Sequence, residues 1–364
     1  MIRKLYLQNF RNYRHLELEV PNTVNLFVGR NGQGKTNILE AVFFIGMLRS
    51  FRTLQVRELK MIGQKGFSIG AEIDNPNGWS EFLEIDYADR KRKLSIDHKT
   101  VPKASEFIKK LKTVVFSPDD IMIVNGNSSV RRRFFDFLIS LTEPDYLTSL
   151  QNYSIALKSR NVMLKRHSHD YALLQAYETI LAREGAMITA FRYEYARILT
   201  DCMHKILANF YEKSGHFEIK YHPVMSSFSE DAFLERFEQD RERDIRRGFS
   251  VFGPQTDEFD LFLNRKLMRH FASNGQCRLV AVCLKMASIE ILSSRENTSD
   301  IVVLVDDVTG DLDPVVKNIF FQKINVAKQI FFTFTELPKE DFFKGSSVFE
   351  VNDGNVKGMK NESF

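Results

Sequence analysis

The chain has 364 residues, 43% of them hydrophobic, and a formal net charge of +4. That is enough apolar material for one large core or two smaller ones, and the charge is too mild to demand or exclude a polyanionic partner. Cys202, Cys277 and Cys283 stand in no metal-ligand spacing, which argues against a disulfide scaffold or a zinc ribbon and fits a reducing cytoplasm. The opening MIRKLYLQNF lacks the apolar run of a signal peptide, and no stretch approaches the ~18 uncharged apolar residues of a membrane span. The 32 phenylalanines read as core composition.

In chain order, residues 2–7 and 15–20 alternate polar and apolar side chains around Asn9-Phe10-Arg11-Asn12-Tyr13, the pattern of an antiparallel pair at a sheet edge. Residues 24–28 are a short apolar run, expected as a buried strand, and residues 35–48 carry apolar side chains at helical spacing. Strand patterns return over about 66–101, with a turn at Asp97-His98-Lys99, and predict a small antiparallel subdomain. From 130 to 247 the sequence is charged, poor in proline and glycine, and mainly helical, with a long pattern over 177–211. Residues 259–263, 301–305 and 329–333 are strand candidates, 276–292 a helix candidate, and the tail after Gly354 is read as frayed. The expected organisation is a discontinuous α/β core, residues 1–129 and 248–364, with a helical lobe, 130–247, inserted into it.

Gly29-Arg30-Asn31-Gly32-Gln33-Gly34-Lys35-Thr36, followed by Asn37, fits the phosphate-loop pattern between a strand and a helix. Its glycines let backbone N–H groups turn toward phosphate oxygens, Lys35 brings a point charge to the β and γ phosphates, and Thr36 offers a hydroxyl to Mg²⁺. The apolar run 301–305 ends in Asp306-Asp307. A buried strand would deliver Asp306 beside Thr36 to hold Mg²⁺ through water, and Asp307 would orient or deprotonate the attacking water. Ser273-Asn274-Gly275-Gln276 leads into a helix, and Ser273, Gly275 and that helix start form a second anion cradle. A plain serine cap would read the same way in isolation.

Phosphate loop, S-x-G-Q segment and acid-ended strand, in that order, resemble an ABC-type ATPase head. With Leu7-Gln8-Asn9-Phe10-Arg11-Asn12-Tyr13, Phe116-Ser117-Pro118-Asp119-Asp120, Arg131-Arg132-Arg133-Phe134 and Asp306-Asp307-Val308 through Leu312-Asp313, the chain resembles the RecF family, bacterial recombination mediators with heads like those of SMC proteins. The resemblance implies a P-loop ABC ATPase fold with ATP and Mg²⁺ as ligands. It implies a head-to-tail homodimer with each ATP between Lys35 of one copy and Ser273, Gly275 and Gln276 of the other. Gly310-Asp311-Leu312-Asp313 matches the loop that crosses such an interface, Arg11 a turn arginine that approaches nucleotide, and Asp119 or Asp120 the metal-sensing segment. It further implies sequence-independent DNA binding, RecR with RecO and RecA as partners, and weak DNA-dependent ATPase activity used as a switch.

Three departures stand out. Gly253-Pro254-Gln255-Thr256-Asp257-Glu258 replaces the family's Gly-Pro-His-Arg-Asp-Asp, Cys277 stands where the family tends to have glutamine, and the position of the ABC switch histidine falls near Thr333 or Thr335, which predicts slow hydrolysis. Candidate DNA contacts are Arg131, Arg132 and Arg133, and Lys109, Lys110 and Lys112, with Arg90-Lys91-Arg92-Lys93 and Lys158, Arg160, Lys165 and Arg166 as further basic clusters. The arginine run can instead serve the lobe's own packing or nucleotide contacts. Two other readings remain: an SMC-like head of another DNA-processing or defence system, disfavoured by a middle region too short for a coiled-coil arm, and a transporter ATPase subunit, disfavoured by the NFRNY opening and the helical insertion.

Overall fold

The computed structural model describes residues 1–74, 78–108, 110–167, 170–210, 216–295 and 301–359. In chain order the first elements are β1 (Ile2–Phe10), β2 (Tyr13–Glu19), β3 (Val24–Val28), α1 (Lys35–Met47), β4 (Gly66–Asp74), β5 (Ser80–Ala88), β6 (Lys91–Ile96), β7 (Lys99–Thr100), α2 (Ala104–Ile108) and β8 (Lys112–Phe116). Then come α3 (Met122–Asn125), α4 (Ser128–Thr142), α5 (Pro144–Lys165), α6 (Tyr171–Leu207), β9 (Phe217–His222), α7 (Glu230–Arg247), β10 (Glu258–Leu263), β11 (Lys266–Leu267), α8 (Met268–Phe271) and α9 (Asn274–Arg295). The last are β12 (Ile301–Asp306), α10 (Pro314–Ile324), β13 (Gln329–Phe334), β14 (Ser347–Asn352) and β15 (Asn355–Met359). The chain divides into two compact units, residues 1–119 with 288–364, and residues 120–287.

The first unit holds two six-stranded sheets. One, in order β15-β14-β3-β13-β12-β8, is parallel apart from β15. Its central strands are apolar on both faces, as covered parallel strands must be, and every residue of β12 is buried. Phe27, Phe331 and Phe349 lie nearly parallel across neighbouring strands, with centroids 5.2 and 6.2 Å apart. The other sheet, β2-β1-β4-β5-β6-β7, is antiparallel, so the expected subdomain of 66–101 continues the β1–β2 pair rather than standing alone. Helix α1 is apolar around nearly its whole circumference because it lies between the two sheets, its residues buried from Ile38 to Met47. Gln329, fully buried, ties the layers: its amide donates to Ile2 O (2.9 Å) and Val20 O (3.2 Å), and its Oε1 accepts from Ile2 N (2.8 Å).

Two expectations change here. Residues 355–359 of the tail after Gly354 are a strand, the rest lying outside the described residues: β15 pairs antiparallel with β14, its short exposed run legible only with the partner strand in place. The lobe read as mainly helical over 130–247 also contains β9, which pairs with β10 beyond the expected boundary in a three-stranded sheet, β11-β10-β9. That pairing draws residues 248–287 into the unit begun at 120, so boundaries drawn at 130 and 247 fall inside it.

In this second unit the core carries charge. Arg160, fully buried, donates to Glu178 (2.9 Å), Asp244 (2.7 Å) and Ser250 (2.6 Å), joining α5, α6 and α7. Arg192 on α6 bridges Asp136 (2.8 Å) and Asp257 (2.9 Å) and donates to Pro254 O (2.7 Å). Tyr153 donates to Gln255 Oε1 at 2.5 Å, so the Gly253–Glu258 departure is built into this packing. Each buried cation has its carboxylates and hydrogen bonds, which is the condition for tolerating it in a low dielectric.

Candidate nucleotide site

The phosphate loop leaves β3 and enters α1. Three of its glycines adopt positive φ, Gly29 at 159°, Gly32 at 83° and Gly34 at 114°. At Gly34 a Cβ would stand 2.6 Å from Asn12 Nδ2 and 2.8 Å from the Tyr13 hydroxyl, so only glycine fits. The NFRNY turn is therefore the floor of the loop. Asn12 donates to Gln33 O (3.0 Å) and accepts from Asn37 Nδ2 (2.8 Å), and the Tyr13 hydroxyl donates to Gly34 O (3.1 Å). From the other side the β14–β15 turn holds Gln33: Asp353 N donates to its Oε1 (2.7 Å) and Gly354 N to its carbonyl (3.1 Å).

Lys35 Nζ folds over the loop and donates to Gly29 O (2.5 Å) and Arg30 O (2.9 Å). Burial pulls its ammonium below the ordinary lysine value, and the charges of Asp307 and Asp306 push it back. Thr36 Oγ1 donates to Asp306 Oδ1 at 2.8 Å, and Thr333 Oγ1 donates to the same oxygen at 2.8 Å. Parallel pairing of β12 with β13 and of β13 with β3 brings the strand ends to one edge, which is how the acid meets the loop. Burial raises the Asp306 carboxyl above the ordinary range, opposed by the two hydroxyls and the charge of Arg52. Asp307 is exposed, in a left-handed conformation (φ 52°), its N–H donating to Thr333 Oγ1 (3.0 Å). Thr333, where the switch histidine was sought, thus fixes both acids.

Glu40 was not foreseen. It lies on α1, completely buried, and takes the Arg11 guanidinium in a two-pronged ion pair at 2.7 Å on each side, while Arg11 Nη1 donates to Glu58 O (2.9 Å). Arg11 is thereby held within this network. Arg52 reaches the same network, with Nη1 on Asn37 Oδ1 (2.8 Å) and 3.5 Å from Glu40. A lone acid among Ile38, Leu39, Ala41 and Val42 was the available signal, since such a charge requires a partner.

The structure brings together Gly29, Arg30, Gly32, Gln33, Gly34, Lys35, Thr36, Asn37, Asp306 and Asp307 in the first unit. In the second, Ser273, Gly275 and Gln276 are exposed at the start of α9. Ser273 Oγ accepts from Gln276 N (3.3 Å) and Gln276 Oε1 accepts from Ser273 N (3.0 Å), a reciprocal cap. Asp120 pairs with Lys285 (3.1 Å), while Asp119 is exposed.

The basic clusters divide. Arg131 is buried against Glu258 (2.9 Å) and Gly126 O (2.6 Å), and Arg132 donates to Asp257 O (2.6 Å), so these two pack the second unit, leaving Arg133 exposed. Arg160 is likewise a core residue. Lys110 pairs with Glu81 (2.7 Å), Lys112 is half-buried at the start of β8, and Lys109 lies outside the described residues.

Residues 1–355 match the family described as RecF/RecN/SMC N terminal domain. The chain belongs to the RecF family. It is 32% identical over 323 residues to the DNA replication and repair protein RecF of Bacillus mycoides, covering 86% of each chain. It is 34% identical to the RecF protein of Acetivibrio thermocellus, covering 86% of this chain and 87% of the relative, and 31% identical to that of Clostridioides difficile across 99% of both. Among solved structures it is similar to the recombination mediator protein RecF-ATP in the RecFOR pathway, with a TM-score of 0.89 at 28% identity, covering 99% of this chain and 97% of that one. The ATPrS form gives 0.85. This RecF-family chain therefore has the ABC-type head fold of its relatives. Among the described residues no helix is long and apolar enough to cross a membrane, and no group of three or more His, Cys, Asp and Glu could hold a metal of its own.

Proposed function

We propose that this chain is an ATP-dependent DNA-binding protein of recombinational repair and replication, in which ATP joins two copies head to tail, the closed dimer grips DNA, and slow hydrolysis releases it. The single observation that carries the nucleotide half is the 2.8 Å bond between Thr36 and Asp306, which sets hydroxyl and carboxylate side by side beneath a glycine-braced loop. A hydroxyl and one acid suit a metal that arrives with its nucleotide, so Mg²⁺ bound with ATP would take Thr36 and Asp306 and neutralise charge on the β and γ phosphates. Lys35 would exchange its two carbonyl partners for those phosphates. Asp307 would orient the attacking water, with Thr333 holding its backbone but offering no basic nitrogen. The exposed cap at Ser273 is the surface that a second copy's γ-phosphate would meet.

Partnership with RecR and RecO rests on the RecFOR pathway named for the structural relatives, and service to RecA on the family resemblance alone. DNA contact rests on exposed cations such as Arg133, and has no sequence code. The deciding experiment is sizing in ATP and Mg²⁺ with and without Lys35→Met. A dimer lost in the variant is expected, and a monomer throughout would remove the centre of the scheme. DNA retention that weakens with salt and requires ATP is the accompanying expectation. Retention indifferent to ATP would reject the clamp.

A further inference from the structure

Helices α5 and α6 pack antiparallel in the second unit, and their register can be read from side-chain pairs. Ser149 reaches Met187 (2.9 Å), Asn152 reaches Glu184 (3.3 Å) and Arg160 reaches Glu178 (2.9 Å). On this register Ile155 lies level with Ile180 and Val162 level with Leu173. All four, and Met187, are exposed, by 37% to 67%. Ile155 and Val162 are seven residues apart, and so are Leu173, Ile180 and Met187, the spacing that keeps apolar side chains on one stripe facing another helix. Two such stripes side by side form a seat for a third helix.

The rim fixes the sign of the occupant. Residues 148–165 contain no acid, and the two acids of residues 171–190, Glu178 and Glu184, are buried and paired with arginines. The exposed charges along the stripes are the cations Lys158, Lys165, Arg166 and Arg183, with the acids Asp145, Asp170 and Glu194 at their ends. A second copy of this face would set cation against cation, and branched aliphatic side chains offer no stacking surface to a base.

We propose that the α5–α6 face docks an amphipathic helix of a protein partner whose apolar stripe is flanked by acidic residues. The seat excludes water from Ile155, Val162, Leu173, Ile180 and Met187, while the partner's carboxylates meet the lysine and arginine rim. This surface uses no residue of the nucleotide loop, but its rim shares Lys158, Lys165 and Arg166 with one of the basic clusters considered for DNA.

The test uses the full chain and a labelled synthetic helix with leucines at heptad spacing and flanking glutamates, followed by fluorescence anisotropy. Binding is expected to weaken at least tenfold with Ile180→Glu/Met187→Glu, and at least tenfold when the peptide's glutamates are replaced by lysines. Thermal melting and ATP binding serve as controls that the double variant is folded, and Lys158→Glu/Arg183→Glu, which leaves the apolar stripe intact, should invert the preference between the two peptides. Equal binding of acidic and basic peptides, or binding unmoved by either pair of substitutions, overturns the proposal. So does a homodimer lost with Ile180→Glu/Met187→Glu, which would make a second copy the occupant. Loss of duplex DNA or of anionic vesicle binding in that variant, with the peptide unaffected, would assign the face to those ligands instead.

Discussion

At Gly34 a backbone conformation, a motif and the proposed nucleotide site meet in one atom that is not there. Gly34→Ala puts a methyl group onto Asn12 and Tyr13 at a φ of 114°, and a cost of about 1–3 kcal/mol is expected for the strained conformation alone. The measurable result is nucleotide binding lost from a protein whose melting midpoint is lowered but whose transition remains cooperative. Asp306 supplies a prediction in pH. Its carboxyl is held above the ordinary value by burial, and a bound cation favours the ionised form. Mg·ATP binding should therefore release protons in mildly acidic solution, with affinity rising as pH rises through the carboxyl's raised range and levelling above it. Calorimetry in buffers of different ionisation enthalpy reads that release, and Asp306→Asn should abolish it. The loop, Thr36 and Asp306 were legible in the sequence because glycine pattern, strand and helix are contiguous there, and because an apolar run ending in acids has a single use beside a phosphate loop. Glu40 carried a signal only in its apolar neighbours, and Arg131 could be read as packing or as a DNA contact. A charge does not announce its partner, and Arg131 became a packing residue only when β10 brought Glu258 against it.

Elements tell a similar story of partners far apart in sequence. The runs that became β3, β12 and β13 declare themselves by unbroken apolarity, and α1 by its length, whereas β9 and β15 are short, partly exposed strands whose identity comes from the neighbours they pair with. The β14–β15 hairpin is more than an edge. It grips Gln33 through two backbone N–H groups, so Gln33→Ala, which removes the side-chain acceptor of one of these bonds, should weaken ATP binding by about 0.5–1.5 kcal/mol without changing the fold, as titration would show. Within the lobe, α5, α6 and α7 meet at Arg160. Arg160→Ala leaves Asp244 without its cation and Glu178 with Arg241 alone, and denaturant unfolding should show a loss of about 3–5 kcal/mol, whereas replacing all three by apolar residues of similar volume should restore much of it.

On the scale of the whole molecule, the two units differ in how the chain enters them. Residues 120–287 are continuous, while the other unit assembles strands from residues 24–28, 112–116 and 301–359 into one sheet. A fragment of residues 120–287 is therefore expected to give a cooperative thermal transition in circular dichroism, and a fragment of residues 1–119, whose β3 lacks both neighbours in the sheet, is expected to give none. The split core was visible in the sequence because α/β patterns flank a helical middle. The extent of the inserted unit was not, because the pairing of β9 with β10 is a relationship between segments rather than a property of either.

The grip on Gln33 also has a consequence in time. The glycine loop leaves the ribosome early, but the turn at Asp353 and Gly354 that props it is made only after hundreds of further peptide bonds. A growing chain would thus hold nucleotide only weakly until its last strands are made, and a nonsense mutation in the codons for β14 or β15 would yield a protein with a loosened hold on ATP although every residue of the phosphate motif is intact.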